Sequence, residues 1–510
     1  MRVIGIDVGG TNTDAVLLDD RRVLHLAKTP TTADVTGGIL TALRLLMEQV
    51  PVGAPRVDAV MVGTTHFTNA VVERRRLVPV AAMRIGLPAT GYLEPFIDWP
   101  ADLARLVRAG TFMLEGGHEF DGRPIVPFDA VGMRAAAREI RAAGIRSVAV
   151  TAVFSPLNPA CEEAAAAILQ EECPDVAVTL SHHLGRIGLL PRENAALLNA
   201  SLVDLARETI AGFTRALAGA GIRAPLYLTQ NDGTVMTAEQ AEAFPVFSFA
   251  SGPTNSMRGA AFLSGLDEAI VVDVGGTTTD VGALKHGFPR EANSVIEVGG
   301  VRTLFRMPDL LSLALGGGTI VAEEPFQVGP RSVSYELTRR SRVFGGEQLT
   351  CTDIAVALGL VALGDSARVA DLSHALAERT RAHAYGVIEE AVDRMKTDAA
   401  AIPLVAVGGG AFLVPPRLPG ISEVVHVPHH AVANAVGAAM AQVSGEADQI
   451  FRDVGREDAI REARRLAEER AVKAGARPES LQVVEVEDLP LAYLPGNSLR
   501  TRVKVVGSIG

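Results

Sequence analysis

Asp7-Val-Gly-Gly-Thr-Asn-Thr-Asp14 and Asp273-Val-Gly-Gly-Thr-Thr-Thr-Asp280 agree at seven of eight positions and lie 266 residues apart. A solenoid would repeat every ~20–50 residues, so this is a different kind of repeat. Each copy follows an apolar β-type run (residues 3–6 and 269–272) and precedes another (15–18 and 281–284). The pattern reads as strand, Gly-Gly turn, strand. Two unrelated turns have no reason to match, so the repeat predicts two related domains facing one site.

The turns carry a chemistry. Gly9, Gly10, Gly275 and Gly276 let the backbone turn tightly at positive φ and let a ligand approach where a Cβ would block it. Successive N–H groups in such a turn form a concave anion site, and Thr11, Thr13, Thr277 and Thr278 add hydroxyl donors. That combination suits phosphate. Asp7 and Asp273 stand where a strand meets the turn; a carboxylate cannot bind phosphate directly, but it can hold Mg²⁺ or Mn²⁺, usually through water. A third glycine cluster, Gly408-Gly409-Gly410, follows the apolar run 404–407 and reads as a turn that admits the base and ribose of a nucleotide. There is no GxxxxGK[ST] motif, and neither turn opens a helix with GxGxxG, so the P-loop and dinucleotide-binding readings are excluded.

Working outward, helical and strand-like segments alternate in the α/β manner. Asp34 is placed to cap a helix whose Ile39, Leu43, Leu46 and Val50 share one face. Residues 57–62 read as a buried strand that runs into Gly63-Thr64-Thr65-His66. A helix is predicted over 131–143, a strand over 147–154 and one long helical run over 192–218. A strand over 225–229 leads to the loops Gln230-Asn-Asp-Gly-Thr234 and Ser251-Gly-Pro-Thr-Asn255. Residues 455–474 read as a solvated amphipathic helix with the stripe Ile460, Ala463, Ala467 and Ala471, followed by strand-like pieces at 481–486 and 501–506. The expected organisation is an N-terminal domain (1–178), a second, related domain (179–445) and a C-terminal helix and strand tail (446–510).

Composition limits the partners. The 510 residues include 50 Gly, 48% are apolar, 21% are charged, and the net charge is −11. Such a chain can bury a large core, and its acidic balance argues against nucleic acid or an anionic membrane, which call for clustered Lys and Arg. No apolar run reaches the ~18 residues of a membrane span. Cys161, Cys173 and Cys351 are odd in number and form no CxxC pair, which with an early acidic residue at the N-terminus predicts a cytoplasmic protein.

The ordered motifs resemble the hydantoinase A/5-oxoprolinase family, a branch of the actin/Hsp70/sugar-kinase superfamily. Besides the stretches above, the resemblance rests on Gly63-Thr-Thr-His-Phe-Thr-Asn-Ala70, Gly117-His-Glu-Phe-Asp-Gly122, Glu193-Asn-Ala-Ala-Leu-Leu-Asn-Ala200 and Ser251-Gly-Pro253. It continues through Gly316-Gly-Gly-Thr-Ile320, Val328-Gly-Pro330, Thr350-Cys-Thr-Asp353 and Val407-Gly-Gly-Gly410, to about residue 445. It implies an α/β fold of duplicated actin-like, ribonuclease-H-like ATPase domains facing an interdomain nucleotide cleft. It further implies that Asp7 and Asp273 position Mg²⁺, that the Gly-Gly-Thr turns with Thr11 and Thr277 act on the ATP phosphates, and that Gly408 to Gly410 line the adenosine pocket. Thr64, Thr65, His66, Asn69 and Ser251 fall at loops that the family places near the cleft, as candidates for substrate contact.

The implied reaction is ATP-driven opening of a hydantoin, 5-oxoproline or related lactam. An amide carbonyl oxygen takes the γ-phosphoryl group and water then attacks the carbon, a step that asks mainly for positioning and charge stabilisation. The implied partners are a hydantoinase B-type second subunit and further copies of the chain. Two rival readings are a kinase of the same fold and a non-catalytic ATPase module acting on a protein. The chain departs from the family pattern at Thr254-Asn255-Ser256 after Ser-Gly-Pro, and at Thr319, where Ser is usual. His182-His183 and His426-x-x-His429-His430 lack the Cys or carboxylate companions of a zinc site, Arg74-Arg75-Arg76 reads as a solvated helix end, and Asp121 and Asp232 read as turn residues.

Overall fold

The computed structural model describes residues 1–9, 12–20, 22–31, 35–51, 53–185, 187–292, 295–440, 442–491 and 498–509. Both octapeptides form the expected hairpins. The strand Arg2–Val8 pairs antiparallel with Asn12–Asp19, and Ala269–Val274 pairs antiparallel with Thr279–Lys285. On the outer side of each leading strand lies a parallel strand, Ala59–Thr64 in the first lobe and Ile402–Val407 in the second. The duplication is therefore one of topology as well as sequence.

The first lobe grows into a nine-stranded sheet in the order Gln482–Pro490, Leu499–Gly507, Gln442–Phe451, Thr234–Thr237, Leu226–Thr229, Ala59–Thr64, Arg2–Val8, Asn12–Asp19, Arg22–Pro30. The second lobe is a smaller sheet, Phe288–Pro289, Thr279–Lys285, Ala269–Val274, Ile402–Val407, Ile421–His426, with Leu310–Leu313 also paired to Thr279–Lys285. Between the strand Ala59–Thr64 and the strand Leu226–Thr229 the chain inserts a four-stranded parallel sheet with its own apolar core. Sheet membership crosses the segment boundaries expected at 178 and 445, because residues 226–237 and 442–507 complete the sheet that residues 2–64 begin.

Two helices, Ser251–Ser264 and Ala433–Ala439, cross where the lobes meet. Their backbones touch: a Cβ on Gly259 would stand 1.8 Å from the Ala433 carbonyl oxygen, and one on Gly437 would stand 1.8 Å from that of Asn255. Only glycine permits that approach.

Three local readings change. Residues 251–255 open the helix Ser251–Ser264 instead of forming a loop; Pro253 falls in its first turn, where a missing N–H costs no helical hydrogen bond. The run 192–218 is two helices, Leu189–Ser201 and Val203–Gly219, with a break at Leu202. The helix Arg456–Lys473 is docked as well as amphipathic. It buries Ala459, Ala463, Ala467 and Ala471 against the strand Gln442–Phe451, while Ile460 is only half-buried. Asp34, the expected cap, lies outside the described residues, although its helix, Val35–Met47, is present.

Candidate functional site

In each hairpin the first and last aspartates of the octapeptide are direct cross-strand partners, Asp7 with Asp14 and Asp273 with Asp280. Like charges placed opposite one another destabilise a sheet unless something compensates them, and the two copies compensate differently. In the first lobe the next rung is Lys28, the register partner of Asp14, whose Nζ lies 2.9 Å from Asp14 Oδ1. In the second lobe the equivalent rung is Ser312, which donates to Asp280 Oδ1.

Asp7 is buried, and both of its oxygens accept amide protons: Oδ1 from Asn255 Nδ2 at 3.1 Å and Oδ2 from Asn434 Nδ2 at 2.9 Å. Burial pushes its carboxyl up to about 7 against the pull of Asn255 and Asn434, with the neighbouring charges of Asp14 and Asp273 adding to the rise. Asp273 is also raised by burial, and is opposed by a hydrogen bond from Ser256 and by the charge of Lys28. Burial and the charge of Asp273 lift Asp280 to about 6 against the Ser312 hydroxyl. Adjacent residues of one helix thus act on the leading aspartates of both lobes: Asn255 donates to Asp7, and Ser256 opposes the rise of Asp273. These two residues, noted in the sequence only as a departure from the family pattern, and Asp14, Lys28, Asp280 and Asn434 were not expected at the site from the sequence. Asp14 and Asp280 were visible in the repeat, whereas nothing local marks Asn434.

The glycine clusters converge on the second hairpin. The Gly275 N–H closes the turn on the Thr278 carbonyl at 2.9 Å, as the Gly9 N–H does on Asn12 at 3.0 Å. Gly317 and Gly318 donate to the carbonyls of Gly275 and Gly276 at 3.0 and 2.7 Å. Gly408 takes φ +86°, and a Cβ there would stand 2.3 Å from both Asp273 Oδ1 and the Val274 carbonyl oxygen. The Gly410 N–H bonds that same Val274 carbonyl at 2.8 Å. Gly409 is exposed and has open space around it.

Several expected site residues take other roles. Gly9, Gly275 and Gly276 do not adopt positive φ, and the close backbone approach at the second turn falls on Gly316, where a Cβ would lie 2.8 Å from Gly275 and Gly276 atoms. Thr13 is fully buried and its hydroxyl faces that of Thr31, so it is withdrawn from the turn's open face. Thr277 is half-buried and Thr278 exposed, in keeping with hydroxyls that reach a ligand. Gly10 and Thr11 lie outside the described residues.

Ser251 and Thr64 are buried against each other: the Ser251 hydroxyl accepts from the Thr64 N–H at 3.2 Å and donates to its carbonyl at 3.1 Å. That engagement removes both from the reachable surface and makes them a seam between the strand Ala59–Thr64 and the helix Ser251–Ser264. Thr65 and His66 are half-buried and Asn69 is exposed, with Asn69 Nδ2 donating to Thr65 Oγ1 at 3.4 Å. Burial and the nearby Arg76 lower the His66 pKa, which favours the neutral ring.

The remaining polar candidates are structural. His182 Nδ1 meets the buried Glu162 at 2.7 Å, within a network that also holds Ser181 and Arg192. Asp232 is ion-paired to Lys504 Nζ at 2.8 Å and lies beside Arg306. Arg74 donates to the Gly299 carbonyl and pairs with Asp102. Asp121 bonds the Arg123 N–H in a turn.

The residues present fit a nucleotide with its metal. Among the described residues no group of three or more His, Cys, Asp or Glu side chains can hold a metal alone. Asp7 and Asp273 would instead contribute to a site that phosphate oxygens and water complete. The turn backbone and Thr277 offer anion donors, and the open face of Gly409 leaves room for a flat ring.

Two family models match the chain: the hydantoinase/oxoprolinase N-terminal region over residues 3–173, and hydantoinase/oxoprolinase over residues 192–367. The chain belongs to the hydantoinase/oxoprolinase family. It is 27% identical to caprolactamase subunit alpha of Pseudomonas jessenii over 404 residues, 71% of this chain and 55% of that protein. It is 27% identical to the acetophenone carboxylase gamma subunit of Aromatoleum aromaticum over 406 residues, 70% of this chain and 53% of that protein. The chain thus spans about half the length of the curated relatives it matches. The crystal structure of the ATP-dependent caprolactamase from P. jessenii superposes with a TM-score of 0.79 at 20% identity, covering 100% of this chain and 88% of that one. The fold is the duplicated actin-like ATPase fold. Among the described residues no helix is long and apolar enough to cross a membrane.

Proposed function

We propose that this family member is an ATP-dependent hydrolase that opens a cyclic amide: a hydantoin, 5-oxoproline or a related lactam. The observation that carries the reading is that adjacent residues of one helix face the leading aspartates of both lobes, Asn255 donating to Asp7 and the Ser256 hydroxyl lowering the Asp273 carboxyl against its burial, with the Gly275 turn and the Gly408 loop in contact beside Asp273. Bound Mg²⁺ or Mn²⁺ would polarise the phosphate oxygens from Asp7 and Asp273. The turn N–H groups and the hydroxyls of Thr11 and Thr277 hold the phosphates in line. The lactam carbonyl oxygen accepts the γ-phosphoryl group and ADP is released; water adds to the carbon, the ring C–N bond breaks with a proton passing to the nitrogen to leave an acyl phosphate, and a second water cleaves that to the carboxylate, so that free phosphate leaves with the ring-opened product. Thr65, His66 and Asn69 stand on the exposed side of the first-lobe seam and are the proposed substrate contacts. We assign a second subunit of the hydantoinase B type as partner, which the subunit names of the relatives support. The three free, buried cysteines support a cytoplasmic setting.

A second reading, activation of a ketone for carboxylation, is favoured by the 27% identity to an acetophenone carboxylase subunit. One assay separates them. Purified protein with Mg-ATP is given lactams, hydantoins, or acetophenone with bicarbonate, with and without extract supplying a second subunit, and phosphate and products are measured. Lactam-stimulated phosphate release equal to ring-opened product supports the proposal. Stimulation by ketone and bicarbonate alone, or transfer to a polyol without free phosphate, overturns it.

A further inference from the structure

The histidine cluster near residue 430, which no step above uses, occupies a short linker between the lobes. His429 has φ +60°, and the linker then runs through the turn His430–Val432 into the helix Ala433–Ala439. Three residues of this stretch, His430, Ala431 and Asn434, make polar contacts with parts of the candidate site. The Gly408 N–H donates to the His430 carbonyl at 2.9 Å, and His430 Nδ1 lies 3.0 Å from the Gly408 carbonyl. A carbonyl has no proton to give, so Nδ1 carries the hydrogen and donates. Lys28 Nζ donates to the Ala431 carbonyl at 3.0 Å while it is paired with Asp14. Asn434 Nδ2 donates to Asp7.

We propose that His430 and Lys28 are positioning residues that pin this linker at two successive residues, His430 and Ala431, so that the nucleotide-base loop at Gly408 and Asp7 are held in one register across the lobe junction. His430 clamps Gly408 through a reciprocal pair of hydrogen bonds and keeps it in the left-handed conformation it needs. Lys28 fixes the next carbonyl to the first-lobe ladder. Asn434, four residues beyond His430, then meets Asp7 with no freedom to drift. The inference rests on the nucleotide reading of the site.

The test compares His430→Ala, His430→Asn, His430→Gln, Lys28→Met and the double variant His430→Ala/Lys28→Met in the full chain. Two readouts are used: the Kd for ADP by calorimetry, and amide exchange of the segment 404–411 without nucleotide. An Asn carboxamide nitrogen overlays Nδ1, whereas Gln reaches toward the Nε2 position. His430→Asn should therefore retain wild-type affinity within about twofold, while His430→Ala and His430→Gln lose about tenfold, equivalent to one hydrogen bond of ~1.4 kcal/mol. The double variant should lose less than the product of the single losses, because both contacts act through one linker. Exchange at Gly408 should quicken in His430→Ala and His430→Gln but not in His430→Asn. Equal affinities for the Asn and Gln variants, or losses that multiply fully, overturn the proposal. If the wild-type protein binds no ADP, the nucleotide reading falls and exchange decides the clamp: equal exchange in all His430 variants refutes it, and the Asn-specific protection upholds it.

Discussion

Replacing Asn255 with alanine removes the donor to Asp7 Oδ1 and, with it, the 3.1 Å bond to Thr229 Oγ1. Asp7 is already lifted to about 7 because burial outweighs its two amide donors. A hydrogen bond to a charged group is worth about 1.5–3 kcal/mol, and each pKa unit corresponds to about 1.36 kcal/mol. Losing the Asn255 contact should move the Asp7 carboxyl upward by about 1–2 units. Only the carboxylate can attract the metal, so activity needs the deprotonated form and rises with pH through the Asp7 pKa. In kcat/KM for ATP, which reports the free enzyme, the rising limb should sit near 7 in the wild-type protein. In Asn255→Ala it should shift to the alkaline side by about 1–2 units with the high-pH plateau largely kept. Asn434→Ala should displace it in the same direction. A limb that stays in place in both variants, with activity merely scaled down, would show that these amides do not govern Asp7.

Further outcomes follow from the same geometry. Gly408→Ala forces a Cβ to within 2.3 Å of Asp273 Oδ1 at φ +86° and should cost about 2–5 kcal/mol from the left-handed backbone and overpacking. Gly409→Ala, in open space, should leave the melting temperature unchanged and weaken ADP binding in a titration. Lys504→Met leaves Asp232 buried with Arg306 as its remaining ion-pair partner; it should lower stability by about 3 kcal/mol in denaturant melts. Glu291 in that network is held at about 2, since Arg306, Lys504 and Arg502 overcome its burial. Its folded pKa is depressed, so its contribution is present above its ordinary value near 4.5 and is lost as pH falls toward 2. Acid melts of the wild-type protein should show that loss in this window. Ser251→Ala should cost about 1–3 kcal/mol of stability with KM for substrate unchanged, whereas Asn69→Ala should raise that KM and leave the melt alone.

The hairpins and the strands beside them were legible because apolar runs of the right length flank Gly-Gly turns, a signal written within a dozen residues. The helix at Ser251 was not, because Gly-Pro reads as a turn wherever the following residues do not declare their partners. The departure from the family pattern at Asn255 and Ser256 became intelligible only when those residues were seen on Asp7 and Asp273. The hydrogen bonds from Asn255 and Asn434 to Asp7 span 248 and 427 positions, and no local periodicity reports such contacts. Burial also reassigned Thr13, Thr64 and Ser251, whose hydroxyls looked available as letters and are internal as atoms.

The order of strands in the large sheet bears on how the molecule is made. The strand Thr234–Thr237 pairs in parallel with Gln442–Phe451, which in turn pairs with Leu499–Gly507. On a ribosome the second-lobe hairpin and its parallel partner at Ile402–Val407 emerge before the strands that finish the first lobe. Until residues 442–507 are synthesised, Thr234–Thr237 is an open sheet edge, and Asp232 beside it waits for Lys504. An interrupted chain would carry both aspartate turns yet keep an unpaired edge, the kind of surface on which nascent proteins join to one another.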